Sequence, residues 1–158
     1  MSTRELPVYA AAAGAVTAAA ALSARAVNTG TAWYRTLAKP PWQPPPWTFG
    51  VVWTPLYATI AWSAGHAVLR TRGRARSELL AAYAVNIVTN AAWSWLFFGR
   101  RSVTGGLAGT LALDVSNADL LRRTGKHDPA AAGALLPYAA WCLFATALNA
   151  SLLARNRR

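Results

Sequence analysis

A chain of 158 residues that is 54% hydrophobic and only 13% charged, with eight tryptophans, is too apolar for an ordinary soluble domain. Its formal charge of +11 raises nucleic acid as a partner, but the placement of the charges excludes it. The 16 basic and five acidic residues fall in short clusters between apolar runs, whereas a DNA-binding face spreads its cations along an amphipathic helix. Cations gathered at the ends of apolar runs suit loops at a lipid headgroup surface. The fold class expected is all-α, a polytopic membrane bundle.

The first apolar run, residues 7–27, is dominated by alanine. It is long enough to cross ~30 Å of hydrocarbon at ~1.5 Å per residue. Its alternative is a secretory signal cleaved after Ala24 or Ala26, for which Arg4-Glu5 is a weak basic start. Residues 33–57 then hold four of the eight tryptophans and six of the nine prolines. Proline fixes φ and lacks an N–H, so Pro40-Pro41 and Pro44-Pro45-Pro46 predict a stiff, extended lid carrying aromatic rings from Trp33 to Trp47. A second span is expected over 47–69, with Pro55 inside it, and a third over 79–98 after the basic loop Arg70–Arg76. The fourth, 102–121, is the weakest, because a carboxylate at the centre of a span costs ~2.5–3.5 kcal/mol. Asp114 is expected to turn inward or be protonated, and Asp119 to lie near the interface. The fifth covers 130–154. Five spans put eight basic residues on each side, counting Arg4 and Arg158, so charge does not orient the chain.

Residues four apart share a helix face. Phe49, Trp53 and Tyr57 form one aromatic stripe, and Trp62 with His66 form another roughly opposite. Asn86, Asn90, Trp93 and Phe97 align on the third span, and Trp141, Ala145 and Leu148 on the fifth. The stripes admit two readings. One is helix packing and interfacial aromatic belts; the other is a polar–aromatic pocket inside the bundle, which accounts for mid-span Trp53 and Trp141 and for asparagines that would be costly facing lipid. Such a pocket suits a flat conjugated ligand, with Tyr57 and Asn90 as hydrogen-bonding groups and Arg35, Lys39 or Arg100 near its mouth. The lone Cys142 reads as a small buried residue, and His66, on the face away from Trp53, has no second histidine at a matching place with which to hold haem iron. No metal site and no conventional catalytic motif is expected, nor the inverted repeats of a transporter.

The run Trp33-Tyr34-x-x-Leu37-x-Lys39-Pro40-x-Trp42-x-Pro44-Pro45-x-Trp47-x-Phe49-x-x-Val52-Trp53-Thr54-x-Leu56-Tyr57 resembles the signature of the TspO/MBR family. Asn90-Ala91-Ala92-Trp93-Ser94-Trp95 and Pro137-Tyr138-Ala139-Ala140-Trp141 agree in order. The resemblance implies a five-helix membrane bundle, commonly homodimeric, in a bacterial cell membrane. It implies a cavity under the loop after the first helix, taking protoporphyrin IX, haem or another flat aromatic molecule, with no obligatory cofactor. Family pocket positions fall on Trp42, Phe49, Trp53, Tyr57, Asn90, Trp93, Trp141, Ala145 and Leu148. A sensory or porphyrin-handling role is implied; light-dependent porphyrin breakdown with Trp53 and Trp141 as candidate catalytic residues, or small-molecule transport, is the alternative. Residues 149–155 lack the aromatic of the family's cholesterol pattern, so sterol binding is not implied.

Overall fold

The computed structural model describes residues 5–157. Arg4 and Arg158, both counted in the charge balance, lie outside the described residues. Five long helices and one short one make up the fold: α1 Leu6–Ala26, α2 Ala32–Thr36, α3 Pro46–Leu69, α4 Gly73–Ser94, α5 Val103–His127 and α6 Pro129–Arg155. A π-helical turn, Trp95–Gly99, continues α4, and no strand occurs among the described residues. Proline sits in the first turn of α1, α3 and α6, where its missing N–H leaves no bond unmade. Ser102 caps α5 by accepting from the Gly105 N–H, and Asp128 caps α6 by accepting from the Ala131 N–H.

Several expected boundaries change. α4 begins at Gly73, six residues before the expected 79, and α5 runs on to His127, six beyond the expected 121. In both cases charged turns that an apolar run leaves out extend the helix past the greasy segment. The expected extended lid is helical at its start. Thr31 accepts a hydrogen bond from the Tyr34 N–H at 3.2 Å and caps a turn over 32–36, so extended backbone is confined to the proline-rich part.

Three helical stretches, Leu6–Ala26, Gly73–Gly99 and Pro129–Arg155, are long and apolar enough to cross a membrane. α3 and α5 have comparable length, 24 and 25 residues, but are not among those three. In α3 tryptophan, tyrosine, proline and His66 dilute the aliphatic residues; in α5 Asp114, Asn117, Asp119 and the charged last turns do so.

Contacts run from α1 to α3, α3 to α6, α6 to α5, α5 to α4, and α4 back to α1, closing a ring. Glycine permits the closest approaches. A Cβ on Gly65 would stand 2.4 Å from the Tyr9 ring, and one on Gly106 would stand 2.4 Å from Phe97 and 2.5 Å from Asn149 Oδ1. Any side chain there forces α1 from α3, or α5 from both α4 and α6.

The half of the ring nearer the α3–α4 and α5–α6 turns is filled. Ile60, Leu79, Leu120, Leu135 and Tyr138 are each 1% exposed. Their helices are cross-tied by hydroxyls: Ser63 Oγ lies 2.6 Å from Tyr83 Oη and donates to the Ala131 carbonyl at 2.8 Å, and Tyr83 reaches Thr124 Oγ1 at 3.3 Å. Asn86, expected to line up with Asn90, belongs to this filled half instead. Its amide donates to Asn117 Oδ1 at 2.8 Å and Ser116 Oγ at 3.1 Å, and its carbonyl accepts from the Tyr138 hydroxyl at 2.9 Å. Saturating a buried amide this fully removes the cost of burying it.

Candidate functional site

The other half, between the last turns of α1, α4 and α6 and the first turns of α3, encloses a cavity of about 390 Å³. Seven of the nine predicted residues line it: Phe49, Trp53, Tyr57, Asn90, Trp93, Ala145 and Leu148. On α3, Trp53 stacks on Tyr57 with ring centroids 5.1 Å apart; on α4, Trp93 stacks on Phe97 at 5.8 Å. Asn90 sits between the two halves. Its amide donates to Tyr138 at 3.3 Å and its carbonyl accepts from Tyr57 at 3.4 Å, so the filled half's network ends on the cavity wall.

Two predicted residues stand outside the lining. Trp141 stacks on Phe144 at 5.1 Å and meets the edge of Phe49 at 6.0 Å. Trp42 packs edge-on against Phe144 at 5.8 Å. Of the two rings in that edge contact between Phe49 and Trp141, Phe49 lines the cavity and Trp141 does not.

Other lining residues are absent from the predicted set. Phe97 and Phe98 both face the cavity because the π turn adds a residue to the helix: the Arg100 N–H bonds Trp95 O at 2.8 Å and the Ser102 N–H bonds Phe97 O at 3.1 Å. Phe-Phe-Gly after an aromatic run was the available sign. Asn149, a polar residue four after Ala145, could have been found by the same spacing used for Leu148. Ala20, Ser23 and Ala24 of α1 line the cavity with no sequence signal beyond their small size.

The connection between α1 and α3 supplies Tyr34 and Gln43 to the cavity. Tyr34 is buried against Phe98, with centroids 5.5 Å apart, and accepts from the Gln43 amide at 3.0 Å. Burial pushes the Tyr34 hydroxyl above its ordinary pKa, the Gln43 bond offsetting this only in part. The Lys39 ammonium sits 4.5 Å from the centre of the Tyr34 ring and donates to the Tyr34 carbonyl. Asn156, just past α6, grips the Ala38 backbone with two hydrogen bonds of 3.0 and 3.1 Å. The connection is thus tied to α4 and α6 at the cavity end.

Polar atoms without partners cluster here. Trp93 Nε1, Gln43 Oε1, Ser23 Oγ and Asn149 Oδ1 are buried with no hydrogen bond, and all four residues line the cavity. A buried polar atom left unpaired costs ~1–3 kcal/mol, so a guest offering both donors and acceptors is favoured over a purely apolar one. Arg25, Arg35, Lys39, Arg100, Arg101, Arg155 and Arg157 surround this end of the bundle, whereas Glu5, Glu78, Asp119 and Asp128 belong to the opposite end and Asp114 to the middle of α5. The cavity therefore opens into positive potential.

His66 lies away from the cavity. It stacks on Trp62 at 4.4 Å and its Nδ1 is 2.6 Å from Asp128 Oδ2, with Arg70 3.4 Å from the same oxygen. Burial pushes the Asp128 carboxyl up, but the Ala131 N–H, His66 and Arg70 together outweigh it, and the group is held below the usual carboxylate range. Asp114 turns toward α6 and accepts from the Thr146 hydroxyl at 2.6 Å; Asp119 pairs with Arg122 and Arg123; Cys142 is buried. Groups of three or more metal-ligating side chains are absent among the described residues.

A family model described as the TspO/MBR family matches residues 8–155. The chain is 34% identical over 123 residues to a translocator protein of Bos taurus, covering 76% of this chain and 72% of that one. It is 34% identical over 140 residues to the tryptophan-rich protein TspO of Archaeoglobus fulgidus, covering 85% and 84%. It is 33% identical over 125 residues to a tryptophan-rich sensory protein of Cereibacter sphaeroides, covering 78% and 77%.

Proposed function

This chain belongs to the TspO/MBR family, and from that premise we propose that it is a five-span integral membrane protein that holds a flat, conjugated, acidic amphiphile of the tetrapyrrole type. Its role is sensing or handling that pigment, in a bacterial cell membrane. The observation that carries the reading is the coincidence, in one cavity, of stacked aromatic walls with buried polar atoms that lack partners. Each ring that stacks on the guest contributes ~0.5–1.5 kcal/mol beyond the area it covers. Trp93 Nε1 suits an acceptor on the guest and Gln43 Oε1 a donor such as a pyrrole N–H. The cations at the cavity end suit carboxylates left at the mouth. The α1–α3 connection serves as the lid, and the assembly we propose is a homodimer.

The test is a titration of the purified full chain in detergent with protoporphyrin IX, followed by the pigment's absorption band. A saturable band shift near one pigment per chain supports the reading. A shift that grows linearly with detergent-phase pigment, the same for an unrelated membrane protein, refutes it.

A second reading, light-dependent breakdown of the bound pigment, draws on the Trp53–Tyr57 stack in the cavity wall, since indole and phenol rings in contact can pass an electron to an excited guest. Illumination of the complex under oxygen should then change the pigment's mass, and less so in Trp53→Phe. An unchanged mass removes this reading while leaving binding intact.

A further inference from the structure

On the opposite end and face of the bundle, the first turns of α4 and the last turns of α5 form a cleft of about 420 Å³. Arg74, Arg122, Arg123 and Lys126 line it, with Glu78 the single carboxylate in its wall. The pairing is incomplete: Arg74 and Arg123 share Glu78, Arg122 and Arg123 share Asp119, and Lys126 has no ion pair among the described residues. Four cations against two carboxylates leave an excess of two positive charges. Directly alongside runs a second groove of about 530 Å³ between α4 and α5, and the two share Glu78 and Arg123. Asp119, already paired with Arg122 and Arg123, also borders this groove. Beyond the charges its walls are mainly small and apolar, Ala82, Val85, Ala112 and Val115, with the hydroxyls of Thr89 and Ser116 among them; Val85 is 59% and Val115 72% exposed.

We propose that these two features are one site, and that it seats an anionic phospholipid, its phosphate in the cationic cleft and an acyl chain in the groove. The site rests on the membrane reading of the fold but not on the pigment cavity, with which it shares no lining residue. Charge and shape select the occupant together. A phosphodiester meets the excess positive charge at the end of the helices, where headgroups lie, and the apolar groove continues from it along the helices in the direction of acyl chains. A second copy of this chain fits poorly. A two-fold interface on this face sets the same patch against itself, bringing two clusters of like charge together.

The experiment is native mass spectrometry of the full chain in detergent with equal amounts of dioleoylphosphatidylglycerol and dioleoylphosphatidylcholine. We expect phosphatidylglycerol to be retained at least about fivefold over phosphatidylcholine, the ratio a single added basic contact at an anionic headgroup gives. Arg122→Gln/Lys126→Gln should erase that preference, while Arg155→Gln/Arg157→Gln, an equal change of charge at the cavity end, should keep it. Should the first double variant fail to fold, Lys126→Gln alone, which breaks no ion pair, should still reduce the preference. Ala112→Phe, which obstructs the groove, should lower retention of both lipids. Equal retention of the two lipids by the unmodified chain, or an equal loss of preference in both double variants, overturns the proposal. So does an Ala112→Phe chain that loses its dimer but keeps its lipid, because a second copy then occupies the face.

Discussion

The same helices α3, α4 and α6 build both halves of this bundle, yet one half is sealed and the other hollow. In the sealed half aliphatic and small side chains close around two hydrogen-bonded tyrosines, and almost every buried polar group has a partner: Ser63 with Tyr83, Asn86 with Asn117 and Tyr138. In the hollow half large rings stand off one another around about 390 Å³ and four polar atoms have none. A bundle that needed only to be stable would be expected to close both ends alike, since interiors otherwise pack to few voids. On the proposed function the contrast separates residues that hold the fold from residues that meet a guest, and substitutions can test it from either side.

The largest effect is expected at Asn86. Asn86→Leu takes the Tyr138 hydroxyl's acceptor and the Asn117 carbonyl's donor from the sealed half, and should lower stability by roughly 2–3 kcal/mol, read as a fall in the thermal midpoint in detergent. Pigment affinity should change only as far as the fold loosens.

Next comes a matched pair of enlargements. Ala131 is fully buried in the sealed half, so Ala131→Leu should cost about 1–3 kcal/mol by overpacking. Ala145 borders the cavity, so Ala145→Leu has room to enter and should change stability by less than about 0.5 kcal/mol. Equal destabilisation by the two would erase the distinction between the halves.

Within the hollow half the rings are unequal. Trp53→Ala removes a cavity wall and should weaken protoporphyrin IX binding about tenfold, near 1.4 kcal/mol. Trp141→Phe, at a residue outside the cavity lining, should stay within about twofold in the same titration.

The smallest effect belongs to the Asp128 corner of the sealed half. Its carboxyl is held below the usual range by the Ala131 N–H, His66 and Arg70, after burial has pushed it up. A depressed folded-state pKa contributes stability that is fully present above the unfolded value of about 3.9 and is lost as pH falls through the lower folded value. Thermal midpoints measured downward from pH 6 should therefore drop below about pH 4, and Asp128→Asn should flatten that part of the profile.

How much of this was legible from the residues differs between the halves as well. Long apolar runs mark the five long helices, and i, i+4 spacing brings Phe49, Trp53 and Tyr57 to one wall. Spacing within a helix says nothing about which of two neighbouring rings borders a space, and here Phe49 lines the cavity while Trp141, in edge contact with it, does not. Asn86 and Asn90 share a face by spacing, but only the register of α5 and α6 against α4 decides that one joins the core network and the other the cavity. The π turn leaves no periodic trace over so few positions, and Phe-Phe-Gly after an aromatic run is its one sign in the sequence. Ser23 was hidden because α1 meets the site with small residues that pack equally well against lipid or a neighbour.

The most direct measurement is the tryptophan-fluorescence titration of Ala145→Leu with protoporphyrin IX beside the unmodified chain, at matched thermal stability. If the hollow half is the guest's slot, the unmodified chain quenches to saturation and the filled variant binds at least about tenfold more weakly. Saturable quenching of equal affinity in both would place the pigment elsewhere and contradict the account.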